Sequence, residues 1–332
     1  MPSCGRMSIL RSDDVRRRFC GGSSLPHLLP SIALPFHLLY PLFSSVVFVI
    51  AVMFSKNAIS RGSSPWTGPF LSNLWLAIAW GGFGLYQGEM LPVSAWWQAA
   101  LVALAFVIGL VFTYLAYQHG DISVATPIFG VKVIIVAAMI ATLGSETIPA
   151  RVWMGAFLAT LGVGFVQSGT RSAGHASGLN ARKAALTVIL ALTSATSLSL
   201  FDLGLQYWAK SWGPARFLPV MFVATAILSC AFLPWVDRPR RLRELGTFKP
   251  MVIGTMLMAV QAMSMSFSMS AYGDATRINI VYALRGLWAV IIAWTLARVF
   301  GGREAQHSVR VMLMRLLGAG LLTASVVVAL MA

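Results

Sequence analysis

The chain has 332 residues, of which 58% are hydrophobic and only 11% are charged, and its mean hydropathy is +0.77. Soluble domains carry about 25% charged residues, so this composition excludes an ordinary soluble protein and favours an integral membrane protein. The net charge of +15 does not indicate a nucleic-acid ligand. Most basic residues lie in the N-terminal tail or between apolar runs, and no RNA- or DNA-binding motif accompanies them. The three cysteines are widely spaced and predict neither a disulfide framework nor a metal site.

The N-terminal residues 1–35 differ from the rest of the sequence. They contain five arginines, Arg6, Arg11 and the triplet at 16–18, among Ser, Gly and Pro residues. We predict that this stretch is a disordered basic tail, or that an upstream start codon has been assigned in error.

Ten apolar segments of spanning length follow the tail. A helix needs about 20 apolar residues to cross a hydrocarbon core about 30 Å thick, and backbone inside that core is either helical or part of a closed barrel. The segments are too long and too uniformly apolar for barrel strands, so we predict an all-α membrane protein with ten transmembrane helices. The predicted spans are residues 37–56, 67–86, 96–118, 122–143, 152–169, 184–208, 216–236, 250–272, 276–299 and 309–331.

The two halves of the sequence are related by an internal repeat. Five predicted spans lie on each side of a linker rich in Gly, Ser and Ala at residues 170–181, and the pair Gly120 and Asp121 matches Gly273 and Asp274, 153 positions later. Because five crossings reverse the direction of the chain, the second copy is expected to be inverted, as in many secondary transporters with a midplane substrate site. The predicted repeats are residues 36–169 and 182–332.

Two basic residues lie deep inside apolar runs at matching positions of the repeats. Lys132 follows Asp121 by eleven residues, and Arg285 follows Asp274 by eleven residues. Eleven helical residues rise by about 16 Å, which is close to half of the hydrocarbon core. An ionisable group at the bilayer centre costs at least about 2.5–3.5 kcal/mol, so we expect both side chains to face a cavity.

The acid available to these cations is Asp202, which lies well inside an apolar run and can balance at most one of them. The remaining charge suits a carboxylate, a phosphate or an organic acid, because arginine offers a bidentate fork and lysine a point charge. We therefore expect Lys132 and Arg285 to bind the anionic end of a substrate. The alternatives are that both cations pair with Asp202 and helix carbonyls as structural links, or that their side chains snorkel to an interface.

Aromatic and amide side chains near the cations extend the predicted pocket. Tyr282 and Phe129 lie one helical turn or less before Arg285 and Lys132, and Trp288 follows Arg285 by three residues. Aromatic walls with a few polar groups are typical of small-molecule pockets. Ordinary packing is the alternative for Tyr282, and an interhelical hydrogen bond is the alternative for the amides. The amide candidates for substrate binding are Asn279, Gln206 and Gln261.

Pro127 and Gly130 immediately precede Lys132 and form a candidate hinge. Proline removes one helical hydrogen bond and kinks the backbone, although a proline in the first turn of a helix would have no dynamic role. The sequence contains no catalytic set, no metal-ligand cluster and no phosphate-binding glycine loop. We therefore expect neither an enzyme nor a bound metal or cofactor.

Three motifs resemble those of the drug/metabolite transporter superfamily, specifically its EamA-type transporters. They are GDISVATPIFGVKVIIVA at span four, GSETIPARVWMGAFLATLGVG before span five and GDATRINIVYALRGLWAV at span nine. The resemblance covers about residues 37–330 and implies the fold and transport activity of this superfamily. Because the superfamily includes sugar-phosphate and nucleotide-sugar exchangers as well as amino-acid exporters, the resemblance leaves the substrate open. Its sugar-phosphate exchangers use basic residues on the helices equivalent to those of Lys132 and Arg285.

We therefore expect a secondary-active or facilitative transporter of a small anionic or zwitterionic metabolite in a bacterial cytoplasmic membrane. One alternative is an exporter of amino acids or amphipathic drugs in which the buried cations are structural. A second alternative is a membrane scaffold without transport activity. The expected partners are the substrate and the lipid bilayer, with no nucleic acid, and the sequence leaves a homodimer open.

Overall fold

The structure is a computed structural model that describes residues 35–119, 128–144, 147–168, 181–300 and 309–331. Within these ranges the chain is helical and contains no strand. The predicted tail except Pro35, the predicted linker except Ala181, and the hinge candidate Pro127 lie outside the described residues. The helices are α1 (Leu39–Ser60), α2 (Thr67–Gln87), α3 (Trp96–His119), α4 (Lys132–Leu143), α5 (Ala150–Ser168), α6 (Ala181–Gly204), α7 (Pro214–Ser229), α8 (Pro239–Glu244), α9 (Phe248–Tyr272), α10 (Ala275–Tyr282), α11 (Arg285–Phe300) and α12 (Val309–Leu330).

Each of the ten predicted apolar segments is helical in its described residues, apart from turns at Val131, at Ala283 and Leu284 and at Met331, and a bend at Val236. Seven helical stretches of the described chain are long and apolar enough to cross a membrane, as expected of an integral membrane protein. They are Phe36–Ser60, Val93–Ala116, Ala185–Trp212, Pro214–Trp235, Phe248–Tyr272, Ala275–Ile292 and Leu313–Leu330. Two further predicted spans are shorter apolar helices, Ile128–Leu143 and Ala150–Val166. The remaining predicted span, residues 67–86, corresponds to α2. The polar residues of α2, such as the buried Asn73, which donates to Ser229 Oγ (2.8 Å), lower its apolar character.

Helices of the N-terminal half pack mainly against helices of the C-terminal half. Helix α1 packs along α9, α3 along α6, α2 against α7, and α5 against α12. Further contacts join α3 to α7 and α2 to α9, while α4 contacts α6 and both α10 and α11 contact α1. The fully buried side chains between these layers include Phe217, Met221, Phe222, Leu205 and Ile278. The two halves therefore share one core, and α4, α10 and α11 border it together.

Two helices are interrupted immediately before the two buried cations. A turn at Val131 separates α4 from the helical residues before it, and a turn at Ala283 and Leu284 separates α10 from α11. The amides of Val131 and Leu284 each donate to the carbonyl three residues back, at 3.0 and 3.1 Å. Such local tightening to i+3 hydrogen bonds often marks a functional hinge. Lys132 is thus the first residue of α4, and Arg285 is the first residue of α11.

Gly130, at the first interruption, lies close to α5. A Cβ atom at this position would lie 2.9 Å from Val163 Cγ1, and the Thr160 hydroxyl donates to the Gly130 carbonyl (3.2 Å). The close approach of α5 therefore requires glycine at this position. The role of Gly130 as a hinge remains a prediction.

Helices α5 and α12 approach each other closely through glycine residues. A Cβ atom at Gly318 would lie 2.5 Å from the amide nitrogen of Val166 and 2.8 Å from the carbonyl oxygen of Gly162. Small residues permit this kind of backbone contact in membrane proteins.

Replacement of Gly318 by alanine is expected to destabilise the protein, because the new methyl group would force α5 and α12 apart. Overpacking of this kind costs about 1–3 kcal/mol. The matched control is Gly320→Ala on the same helix, where a Cβ would meet nothing within 4 Å. The free energy of unfolding, measured by denaturant titration in detergent, should fall for Gly318→Ala and not for Gly320→Ala. Equal stability of the two variants would contradict the close contact.

Candidate functional site

Lys132 and Asp202 form an ion pair inside the helix bundle. The Lys132 Nζ lies 2.8 Å from Asp202 Oδ2, and the side chains are 17% and 2% exposed. The same oxygen accepts a hydrogen bond from Asn279 Nδ2 (2.8 Å), which also donates to the Ala275 carbonyl (2.9 Å). One carboxylate oxygen therefore joins α4, α6 and α10. The alternative in which the cations pair with Asp202 therefore describes Lys132, which forms an ion pair with this residue.

The Arg285 guanidinium lies over two aromatic rings. Its Cζ is 4.5 Å from the ring centroid of Tyr282 and 5.1 Å from that of Phe48 on α1. Cation–π contacts contribute about 0.5–1 kcal/mol when exposed and about 2 kcal/mol or more when desolvated. Across the described ranges, no carboxylate lies within ion-pairing distance of Arg285. Lys132, Asp202 and Arg285 together therefore carry one unbalanced positive charge.

A narrow cavity of about 30 Å³ lies between the two interrupted helices. Pockets that bury a drug-sized ligand have volumes of about 300–1,000 Å³, so this cavity is too small to hold one. The cavity is lined by Phe129, Gly130, Lys132, Val133, Val163, Asn279, Tyr282, Ala283 and Arg285. Both cations therefore face the same small space.

Tyr282 is fixed beneath Arg285 by a polar contact to α9. Its hydroxyl donates to Gln261 Oε1 (3.0 Å), and the Gln261 backbone carbonyl accepts from Ser44 Oγ on α1 (3.1 Å). Phe48 meets the Tyr282 ring edge to face at 5.9 Å. Residues of α1 and α9 thus hold the aromatic surface on which the guanidinium rests.

Four predicted site residues do not line this cavity: Asp202 and Gln261 bond to the lining residues Lys132 and Tyr282, whereas Gln206 and Trp288 make other contacts. Gln206, in a π-helical turn that continues α6, accepts the Ala275 amide hydrogen with its Oε1 (3.0 Å) and lines a second, larger cavity. Trp288 donates its indole N–H to Ser45 Oγ (3.0 Å) and ties α11 to α1. The structure therefore gathers Lys132, Arg285 and their nearer neighbours but not these two side chains.

Phe48 and Ser44 are parts of the site that the sequence did not reveal. Both lie on α1, where an aromatic or a small hydroxyl residue does not stand out from an apolar run.

Replacement of Asp202 by asparagine is expected to leave Lys132 as an uncompensated buried charge. Breaking one side of a buried pair costs about 3–5 kcal/mol, so the unfolding free energy in detergent should fall by that amount. Adding Lys132→Met to the Asp202→Asn variant should recover most of the loss. The control is Glu89→Gln, which breaks the exposed Arg216–Glu89 pair (2.6 Å) and should change stability by no more than about 1 kcal/mol. Absence of recovery in the double variant would refute the pairing.

Comparison with known proteins provides the fold alone. No protein-family model matches the sequence, and no curated protein matches it. A protein of known crystal structure is similar to this chain with a TM-score of 0.62 and 17% sequence identity, over 88% of this chain and 96% of that chain. Similarity at this level of identity shows a shared fold, and fold by itself does not determine function.

Proposed function

We propose that the chain is a secondary-active or facilitative transporter of a small anionic or zwitterionic metabolite. The observation that carries the proposal is Arg285, a cation on the cavity wall that has no carboxylate partner among the described residues. Ionisable residues inside a membrane are costly and mark substrate or ion pathways. A carboxylate or phosphate of the substrate would balance the remaining charge and bind the guanidinium fork in a bidentate manner.

The proposed architecture is ten transmembrane helices in two inverted five-helix repeats of the EamA type. Exchanging the halves replaces α1, α2, α3, α4 and α5 by α6, α7, α9, the α10–α11 pair and α12. This exchange turns the α1–α9 contact into the α6–α3 contact and the α3–α7 contact into the α9–α2 contact, and all four occur. The interruptions at Val131 and Leu284 are also 153 positions apart. Interrupted helices around a midplane site are typical of inverted-repeat transporters.

Alternating access would require each end of the bundle to open in turn. In the ten-span arrangement, the connections after α2 and α6 lie on one side, where Arg216 Nη2 pairs with Glu89 Oε2 (2.6 Å). The connections after α1 and α7 lie on the opposite side, where Asp237 Oδ2 accepts from the Ser64 amide (2.5 Å). Separate polar links at the two ends would let one end open while the other remains closed.

One observation favours a second candidate, an exporter of amino acids or amphipathic compounds with structural cations. Lys132 already has Asp202 as its counter-ion, and Arg285 already rests on Tyr282 and Phe48. In that case the aromatic rings, rather than the cations, would contact the cargo.

Replacement of Arg285 by glutamine is expected to weaken anion binding at least about tenfold, because a charge-assisted hydrogen bond contributes about 1.5–3 kcal/mol. The full chain in detergent should be screened by thermal shift against organic acids, sugar phosphates, nucleotide sugars, amino acids and amphipathic cations. Ligands that bind the folded protein stabilise it by mass action. Uptake of each stabilising ligand into proteoliposomes then tests transport itself.

The control is Arg243→Gln, which removes a guanidinium that lies 5.2 Å from the Phe248 ring centroid, outside the cavity. Anion affinity should be retained in this variant. Stabilisation by neutral or cationic compounds alone would exclude the anion proposal and favour the exporter.

A further inference from the structure

A second cavity, of about 120 Å³, lies at the start of α10 and is larger than the one between the two cations. Its walls come from the connection between α4 and α5, from Gln206, and from residues Gly273 to Arg277. Nine residues separate Thr276 from Arg285 along α10 and α11, which corresponds to about 13 Å of helical rise. The second cavity is therefore close enough to the first to lie on the same route.

The Thr276 side chain is the first observation that points to a binding site. Thr276 contributes to the cavity wall and is only 4% exposed, yet its hydroxyl has no hydrogen-bond partner among the described residues. Burying a hydroxyl group without a partner is unfavourable, and nearly all such groups are satisfied in folded proteins. A ligand that accepts a hydrogen bond would satisfy this hydroxyl.

The charges around the second cavity favour a negative ligand. The Arg277 Nε is buried without a partner in the described structure, and only Nη1 of this guanidinium approaches a carboxylate, Asp274 Oδ2, at 3.5 Å. Asp274 Oδ1 also accepts from the Arg277 amide, which it caps (3.4 Å), and His37 Nε2 lies 3.4 Å from Asp274 Oδ2 without a hydrogen bond to it. Lys210 adds a cation against Gly273, where a Cβ atom would lie 2.6 Å from Lys210 Nζ.

The start of α10 adds a smaller contribution of the same sign. A helix N-terminus carries a partial positive charge that favours bound anions, although the Ala275 and Arg277 amides of this turn already donate to Gln206 and Asp274. The Gln206 side chain fixes this end by accepting the Ala275 amide hydrogen. The helix end is significant here because the buried Thr276 hydroxyl and the Arg277 Nε border the same space.

We propose that this cavity binds a small oxyanion, either a carboxylate or a phosphate group, through Thr276 and Arg277. The Thr276 hydroxyl donates to one oxygen of the anion, and Arg277 Nε donates to another. Its role as a waypoint for substrate on the way to Arg285 rests on the proposed transport function, whereas oxyanion binding itself does not.

The test measures equilibrium binding of radiolabelled inorganic phosphate to the full chain in detergent. The Arg285→Gln variant is the starting protein, because it isolates the second cavity from the central site. Adding Arg277→Gln should weaken phosphate binding at least about tenfold, and adding Thr276→Val should weaken it about threefold to tenfold, according to the usual contributions of charged and neutral hydrogen bonds. Thr276→Ser, which keeps the hydroxyl, should retain the affinity.

The matched control is Thr323→Val, which removes an exposed hydroxyl that donates to the Ala319 carbonyl (3.0 Å). Thermal midpoints show whether each variant is folded. If Arg277→Gln does not fold, Thr276→Val provides the test. The inference is overturned if the Arg285→Gln protein binds no phosphate, or if both Arg277→Gln and Thr276→Val leave its affinity unchanged. Failure of the proposed central site has a different signature, in which Arg285→Gln does not alter wild-type phosphate binding and Arg277→Gln still does.

Discussion

A charge buried in a membrane protein requires a partner, and the pairing of Asp202 with Lys132 meets this requirement for one cation only. The attraction between such ions repays their desolvation only when the geometry is good and further hydrogen bonds are made. Asn279 supplies one such bond to the same oxygen that Lys132 contacts. A single carboxylate oxygen therefore joins α4, α6 and α10. Because Lys132 and Asn279 already contact Asp202, Arg285 is left without a carboxylate partner among the described residues.

The guanidinium of Arg285 is held mainly by contact with two aromatic rings. The Tyr282 and Phe48 rings attract the cation through their π faces, whereas the five N–H donors of arginine point outward in the guanidinium plane. Under the proposed function, a carboxylate or phosphate would bind that edge without displacing either ring. A salt bridge to a protein carboxylate would instead neutralise the guanidinium within the protein.

The helices could be predicted from sequence because a long apolar run in a bilayer has to satisfy its backbone hydrogen bonds internally. The placement of Lys132 and Arg285 on one cavity could also be predicted, since each follows a Gly-Asp pair by the same number of residues. The pairing of Asp202 with Lys132 rather than with Arg285 could not be predicted, because it depends on packing between residues far apart in sequence. Phe48 gave no signal among the apolar residues of α1. The helix break at Leu284 follows neither proline nor glycine, so no local rule predicts it.

The separation of Lys132 and Asp202 along the chain has a consequence for biosynthesis. Asp202 is translated 70 residues after Lys132, which takes about 4–14 s at about 5–20 residues per second. If α4 spans the membrane as proposed, the lysine would enter it before its counter-ion exists, at a cost of about 2.5–3.5 kcal/mol at the bilayer centre. We therefore expect stable insertion of α4 to depend on the arrival of α6, so that nascent chains shorter than residue 202 leave α4 at the translocon or at the interface. Glycosylation mapping of truncated nascent chains would detect this dependence, and full insertion of α4 without α6 would exclude it.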